Sequence, residues 1–359
     1  MTAHGGDVWE VAEETGIPAS ELLDFSANIN PRGLPPRALV RLARDAADSR
    51  LQSRYPDPSA RLLRKALAEQ LGIGSEAIVI GPGAESLFAP ILQSIRARRA
   101  LIPVPAFGEY RRVCVQRGIE IEPFLLSRSE CFRMPIDRFC HAIRTGGFDV
   151  VFLNNPHNPS GTALRISEVK RILEVVREVG AALILDEAFI DYTPDETLVA
   201  EAASGTGLVV LRSLTKIYGC PALRVGFAVA EPTIAQRIAG FLSTWPVTQL
   251  ALDTLTEAVA DSQYLSDSVR ENATEREELA ESLRVLGLVV FPSVANYLLL
   301  ELAKGPSSAE LRKRMIRNHR ILLRNCDSYE GLTPGRYLRV AVRSADENLR
   351  LVQALSQEL

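Results

Sequence analysis

The chain has 359 residues, 47% of them apolar and 24% charged, with a formal net charge of −3. That is enough apolar material for a large core in two units, and it carries no basic excess of the kind a nucleic-acid surface requires. The five cysteines (114, 131, 140, 220 and 326) are odd in number and lack CxxC spacing, and neither an apolar leader nor a run of 18 apolar residues occurs; a cytoplasmic protein without disulfides, metal or membrane segments is expected.

Residues 1–35 open on His4-Gly5-Gly6-Asp7, read as a flexible start, and pass through a short strand expected at 22–26 into the turn-rich Ala27-Asn28-Ile29-Asn30-Pro31-Arg32-Gly33. Apolar spacing predicts a helix over 36–49 and a second, capped by Ser59, running through Leu71; Arg54-Tyr55-Pro56-Asp57-Pro58 breaks the chain between them. A strand is expected at 77–80. Gly81-Pro82-Gly83-Ala84-Glu85-Ser86 then leads into a helix over 87–95, and a glycine turn there offers free N–H groups and the positive end of the helix dipole to an anion. Tight strand–helix turns also use glycine for purely steric reasons.

Strands and helices then alternate. Strands are expected at 100–104, 119–124, 149–153, 181–186 and 208–211, with helices opening at Pro105-Ala106-Phe107 and covering 137–144 and 166–179. The strands lack polar alternation, so the pattern predicts a mostly parallel sheet covered by helices on both faces. With the strand at 225–229, expected to be antiparallel, the sheet has seven strands. Ligands in such sheets bind beyond the strands' carboxyl ends, and Gly83, Phe107, Asn158, Asp186 and Lys216 all fall at such ends. Helices at 233–242, 249–260 and 264–286 follow. Strands at 288–291, 297–300, 321–324 and 337–341 with helices at 308–318 and 346–357 then read as a smaller α+β domain. The expected division is a large domain over 36–240, a small one over 241–359, and residues 1–35 folded onto the latter.

The chemistry gathers around Arg212-Ser213-Leu214-Thr215-Lys216 and Arg224. A lysine at the mouth of a buried strand is costly to desolvate unless it is used, and one use is a Schiff base to a carbonyl cofactor. Ser213 and Arg224 supply a hydroxyl and a planar fork suited to a phosphate. Another apolar strand ends on Asp186. A strand ending in Asp, followed by one ending in Ser-x-x-Lys with an arginine beyond it, resembles the fold-type I enzymes that use pyridoxal 5′-phosphate (PLP). In that arrangement Lys216 carries the cofactor and serves as acid and base. Asp186 keeps the pyridine nitrogen protonated, and Asn158 bonds the phenolic oxygen. Phe107, or less readily Tyr110, stacks on the ring. Ser213, Arg224 and the turn at Gly83, Ala84 and Glu85 hold the phosphate together with Tyr55. In related dimers the equivalent tyrosine comes from the other subunit, so the resemblance implies a homodimer with shared sites.

The whole chain is similar to the histidinol-phosphate aminotransferase branch of the class I/II aminotransferases. Within it the chain most resembles the decarboxylases that act on L-threonine O-3-phosphate in cobalamin synthesis. His4-Gly5-Gly6 and Asp24-Phe25-Ser26-Ala27-Asn28-Ile29-Asn30-Pro31 carry the narrower likeness; Asp186-Glu187-Ala188-Phe189, Ser213-Leu214-Thr215-Lys216, Ile321-Leu322-Leu323-Arg324 and Tyr337-Leu338-Arg339 carry the broader one. The resemblance implies that Arg339 takes the substrate α-carboxylate, with Asn158 beside it, and that His4, Gly5, Asn28 and Arg324 line the substrate-phosphate side. The chain departs from the wider pattern in four places. Phe189 replaces a tyrosine, as it does in the decarboxylases, and His157 stands where asparagine is usual. The turn at Gly83 is one residue short, and Trp245-Pro246-Val247-Thr248 lacks an expected asparagine. Three readings compete: decarboxylation of an O-phosphoamino acid (threonine or serine), transamination of a substrate such as histidinol phosphate, and a catalytically silent binding module. The third is disfavoured because Lys216, Asp186, Asn158 and Arg224 are all present.

Overall fold

The computed structural model describes residues 5–359. His4, expected beside the substrate phosphate, lies outside the described residues. In chain order the strands are β1 (Leu23–Asp24), β2 (Ile78–Gly81), β3 (Arg99–Val104), β4 (Glu120–Leu125), β5 (Val150–Asn154), β6 (Ala182–Asp186), β7 (Leu208–Ser213), β8 (Gly226–Val229), β9 (Val289–Val290), β10 (Tyr297–Glu301), β11 (Ile321–Leu322), β12 (Arg324–Asn325) and β13 (Tyr337–Ala341).

Seven of them form one sheet in the order β2-β8-β7-β6-β5-β3-β4. All neighbouring pairs are parallel except those that β8 makes with β2 and β7, which are antiparallel as expected. The apolar runs of β5, β6 and β7 are buried on both faces. One core lies on each side of them: Leu153, Leu183, Leu185 and Val210 face one way, and Phe152, Ile184, Val209 and Leu211 the other. Alternate residues of an apolar strand thus enter different cores, which is why these strands show no polar alternation. Every parallel strand points its carboxyl end at the same edge, and the functional residues collect there.

A four-stranded sheet, β12-β13-β10-β9, packs against the helices Ser262–Val285, Ser308–His319 and Ala345–Glu358. β1 pairs in parallel with β11, Leu23 opposite Ile321 and Asp24 opposite Leu322, which ties the N-terminal segment to these later strands. The strand expected over 321–324 is broken after Leu322. β11 turns to β1, while β12 turns to β13, so one apolar run serves two sheets.

One further expectation changes. Ser59 is not the helix cap: the helix is Arg61–Leu71, Ala60 precedes it in the left-handed region, and Asp57 accepts from the N–H groups of Ser59 and Arg61 at 3.1 and 2.9 Å. Residues 5–35 also contain a helix at Val8–Thr15, capped by Asp7. Val247, Ala251, Leu252, Leu255 and Tyr264 share a core with the seven-stranded sheet, whereas Leu279, Ala280 and Leu283 pack with the four-stranded one.

Candidate active site

A cavity of about 580 Å³ opens at the carboxyl edge of the large sheet and is closed on one side by β12, β13 and the segment before β2. Its lining brings together Gly5, Asn28, Gly83, Ala84, Glu85, Phe107, Asn158, Asp186, Phe189, Ser213, Lys216, Arg224, Arg324 and Arg339. Those residues come from both ends of the chain and from most of the loops between. Tyr55 does not line it. It is 77% exposed and stacks on Trp245, with ring centroids 4.2 Å apart and planes 17° from parallel.

β7 ends at Ser213 and the chain turns at once into the short helix Leu214–Ile217, which aims Lys216 back into the cavity. The Lys216 backbone is braced by Asn30, whose N–H donates to the Lys216 carbonyl (3.0 Å) and whose side-chain amide donates to the Ile217 carbonyl (2.7 Å). Enclosure by protein lowers the Lys216 amine to about 8; the cations Arg339 and Arg224 push the same way, and Asp186 opposes them. Such an amine holds an appreciable neutral fraction near neutral pH, which a Schiff-base nucleophile needs.

Asp186 ends β6 and is buried. Its carboxylate accepts from the Ala188 N–H at 2.9 Å and from the Tyr110 hydroxyl. Burial raises its pKa, while the Tyr110 and Ala188 bonds and the Lys216 charge oppose the rise. Tyr110 thus serves the carboxylate instead of stacking over a ligand, and Phe107 meets it edge-on (5.7 Å, 84°) at the cavity wall.

Ser213 and Thr215 share a hydroxyl–hydroxyl bond of 2.9 Å on the first turn after β7, with Arg224 close by on the cavity wall. Gly83 has φ +89°, and a Cβ there would stand 2.6 Å from Arg224 Nη2, so only glycine leaves the notch open. The Gly83 N–H donates to the Gly81 carbonyl (2.8 Å). The amides left at the start of the turn Ala84–Leu87 are those of Ala84 and Glu85. Two hydroxyls, a guanidinium and a helix-start turn around a notch suit a phosphate. A neutralisable amine and a buried carboxylate at the other end suit a pyridine aldehyde. The residues present therefore fit PLP.

Arg339 and Arg324 face the same space. Arg339 donates to Asn158 Oδ1 (2.6 Å), to the Tyr329 hydroxyl (3.1 Å) and to the Ser26 carbonyl (3.0 Å), and lies over the Tyr297 ring. Among the described residues these partners are neutral, so the buried charge is held by dipoles and stays available to an anion. Arg324 donates to Ser328 Oγ at 2.8 Å and lies over the Tyr329 ring at 5.5 Å. Asn28 is buried and lines the cavity, and its Oδ1 has no hydrogen-bond partner among the described residues. Gly5 sits so close to Ser26 that a Cβ would fall 2.1 Å from the carbonyl oxygen that Arg339 uses.

Sequence reasoning does not single out Thr215, Asn154, Ser26, Ser328 or Tyr329. Thr215 is legible in principle, two residues past Ser213 on the same turn. Tyr329 gives one signal: an aromatic residue in an otherwise polar loop, Asp327-Ser328-Tyr329-Glu330-Gly331.

His157, the departure from the usual asparagine, is buried and does not enter the cavity. Its Nδ1 meets Ser160 Oγ at 2.7 Å and its Nε2 meets the Pro105 carbonyl at 2.8 Å. Burial lowers its pKa to about 4. The unfolded chain then binds a proton near pH 6.5 that the folded chain refuses until about 4. Stability should fall across that window as pH drops, by up to about 3 kcal/mol. Denaturant midpoints at pH 7 and 4.5 should show that loss in the parent and much less of it in His157→Asn.

With this geometry in hand, comparison with known proteins identifies the class. The model of the family "Aminotransferase class I and II" matches residues 20–355, and the chain belongs to that family. It is 38% identical to the threonine-phosphate decarboxylase of Salmonella typhimurium, over 100% of this chain and 97% of that one. It is 30% identical to an adenosylcobalamin biosynthesis bifunctional protein of Leptospira interrogans over 99% of its own length but only 41% of the longer protein. Among solved structures, the L-threonine-O-3-phosphate decarboxylase of Porphyromonas gingivalis superposes with a TM-score of 0.81 at 26% identity, covering 93% of this chain and 98% of that one.

Proposed function

We propose that this protein is a PLP-dependent decarboxylase converting L-threonine O-3-phosphate to (R)-1-aminopropan-2-ol O-2-phosphate, the linker of the cobalamin nucleotide loop. The observation that carries it is the pair of buried arginines, 324 and 339, beside Lys216 in one cavity: two cation sites match a substrate with a carboxylate at one end and a phosphate at the other.

PLP is the cofactor; when bound it accepts the electron pair released as a bond at the substrate Cα breaks. Lys216 would hold it through its amine, and the same amine would be the group that returns a proton to the substrate Cα. Asp186 would accept a hydrogen bond from its pyridinium, and the carboxylate's position is fixed by Tyr110 and Ala188. Arg339 holds the carboxylate, and Arg324 with Asn28 and Gly5 holds the phosphate. Gripping both ends fixes rotation about the N–Cα bond and thereby selects which Cα bond faces the electron sink. The cavity's small residues, Ala27 and Ala188, leave room for a substrate methyl. A methyl is worth only about 1 kcal/mol, so O-phospho-L-serine is the nearest competing substrate.

The molecule is a homodimer with shared sites in this reading. The exposure of Tyr55, stacked on Trp245 outside the cavity, supports that reading. Tyr55→Ala should loosen PLP in an enzyme that still sediments as a dimer; a fully active monomer at micromolar concentration would refute the arrangement. No helix is long and apolar enough to cross a membrane among the described residues, and a cytoplasmic location is proposed. The reaction itself is tested by product analysis: carbon dioxide from O-phospho-L-threonine with no keto acid added supports decarboxylation, and 2-oxoglutarate-dependent glutamate formation from histidinol phosphate would make it an aminotransferase.

A further inference from the structure

Arg324 and Arg339 are direct cross-strand partners on β12 and β13, and each residue is 6% exposed. Like charges opposite one another destabilise an antiparallel pair, and burial sharpens the repulsion. The loop that joins these two strands holds both arginines through one side chain. The Tyr329 hydroxyl bonds Arg339 Nη1 at 3.1 Å and Asn158 Oδ1 at 3.2 Å, while its ring lies under the Arg324 guanidinium at 5.5 Å. Tyr329 is itself fixed. It is 7% exposed within the core of the large sheet, its N–H donates to the Cys326 carbonyl (3.0 Å) and its carbonyl accepts from Leu332 (3.2 Å). The next residue, Glu330, pairs with Arg111 at 3.5 Å, and Gly331 approaches the backbone at Val104–Pro105. The loop from the smaller sheet is therefore anchored on the larger one.

We propose that Tyr329 is a positioning residue that sets the distance and relative orientation of the two anion-binding arginines, so that the site selects dianions by the length of chain between carboxylate and phosphate. This rests on the assignment of Arg339 and Arg324 to the two ends of a phosphorylated amino acid, and it adds the dimension by which such substrates are chosen. Neither arginine alone measures length. Both on one rigid tyrosine do, because a ligand too short or too long must either forgo one fork or displace the ring.

The test uses the PLP-loaded enzyme and ligands that cannot react because they lack an amine: 3-phosphonopropionate, 4-phosphonobutyrate and 5-phosphonovalerate, titrated by calorimetry. The 4-phosphonobutyrate spacing equals that of O-phosphothreonine. The parent should favour it by about tenfold or more over both homologues, the effect of one charge-assisted hydrogen bond that the wrong length leaves unmade. Tyr329→Phe keeps the shape of the ring and should fold as the parent does. It should reduce that preference, and Tyr329→Leu should erase it. A parent without a length preference, or variants that weaken all three ligands by one common factor, would overturn the proposal and leave Tyr329 a structural residue. Carbon dioxide release from O-phospho-L-threonine is measured separately. If none appears while the length preference and its loss in the variants hold, the spacing role stands and the reaction assignment fails.

Discussion

Lys216→Met should lose decarboxylation by roughly ten-thousand-fold, the upper range for removing a positioned proton-transfer group, because the covalent anchor for PLP goes with it. The same change should leave the apo-protein no less stable than the parent. Lys216 sits in a protein-enclosed position beside Arg339 and Arg224, and its amine is lowered to about 8 from an ordinary value near 10.5. The folded state therefore binds its proton less readily than the unfolded chain does. Stability drops as pH falls from about 10.5 to 8, and the full penalty is present below 8, up to about 3 kcal/mol. Methionine removes that charge and keeps most of the volume. Carbon dioxide release and a melting curve on one preparation check both halves. Borohydride treatment of the parent followed by peptide mapping should find the cofactor on Lys216, and label on another residue would displace Lys216 from its role.

Arg324 and Arg339 should separate by substrate. Removing a charge-assisted hydrogen bond costs about 1.5–3 kcal/mol, or roughly 10- to 150-fold in binding. Arg324→Ala should therefore depress kcat/KM for O-phospho-L-threonine by that range and barely alter the residual reaction with unphosphorylated threonine. Arg339→Ala should depress both, because every amino acid presents the carboxylate. It should depress them beyond that range, since Asn158, the Ser26 carbonyl and Tyr329 are all left without their shared donor. Equal losses in Arg324→Ala for both substrates would remove Arg324 from the phosphate side.

Much of this site is legible in the sequence because a doubly covered parallel sheet writes its ligand edge into chain order. An apolar run with no polar alternation marks each strand, and whatever polar residue ends it, Asp186 or Ser213, must lie at the common edge. The fine structure is not legible for reasons that are equally physical. The run 321–324 is uniformly apolar up to its arginine, and nothing in it reveals that β1 claims one half and β13 the other. The Ser59 cap fails because Asp57, a charged acceptor, takes the Arg61 N–H at the helix start and the Ser59 N–H before it. Tyr110 reads as a candidate stacking ring because spacing carries no information on where a hydroxyl points; its bond to Asp186 is a tertiary contact across 76 positions. Residues 247–264 read as helical but give no sign of their partners; their apolar side chains fill the gap beside the helices Pro36–Ala47 and Arg61–Leu71.

The reaction is defined by which Cα bond breaks, and a labelled carboxyl reports that directly. The PLP-loaded enzyme is incubated with O-phospho-L-threonine carrying 13C in the carboxyl group, without any keto acid, and the gas phase and the phosphorylated amine are both quantified. One labelled carbon dioxide per unlabelled 1-aminopropan-2-ol phosphate, sustained over many turnovers, is the predicted result. Label retained in the organic product, with turnover only after 2-oxoglutarate is added, would contradict it.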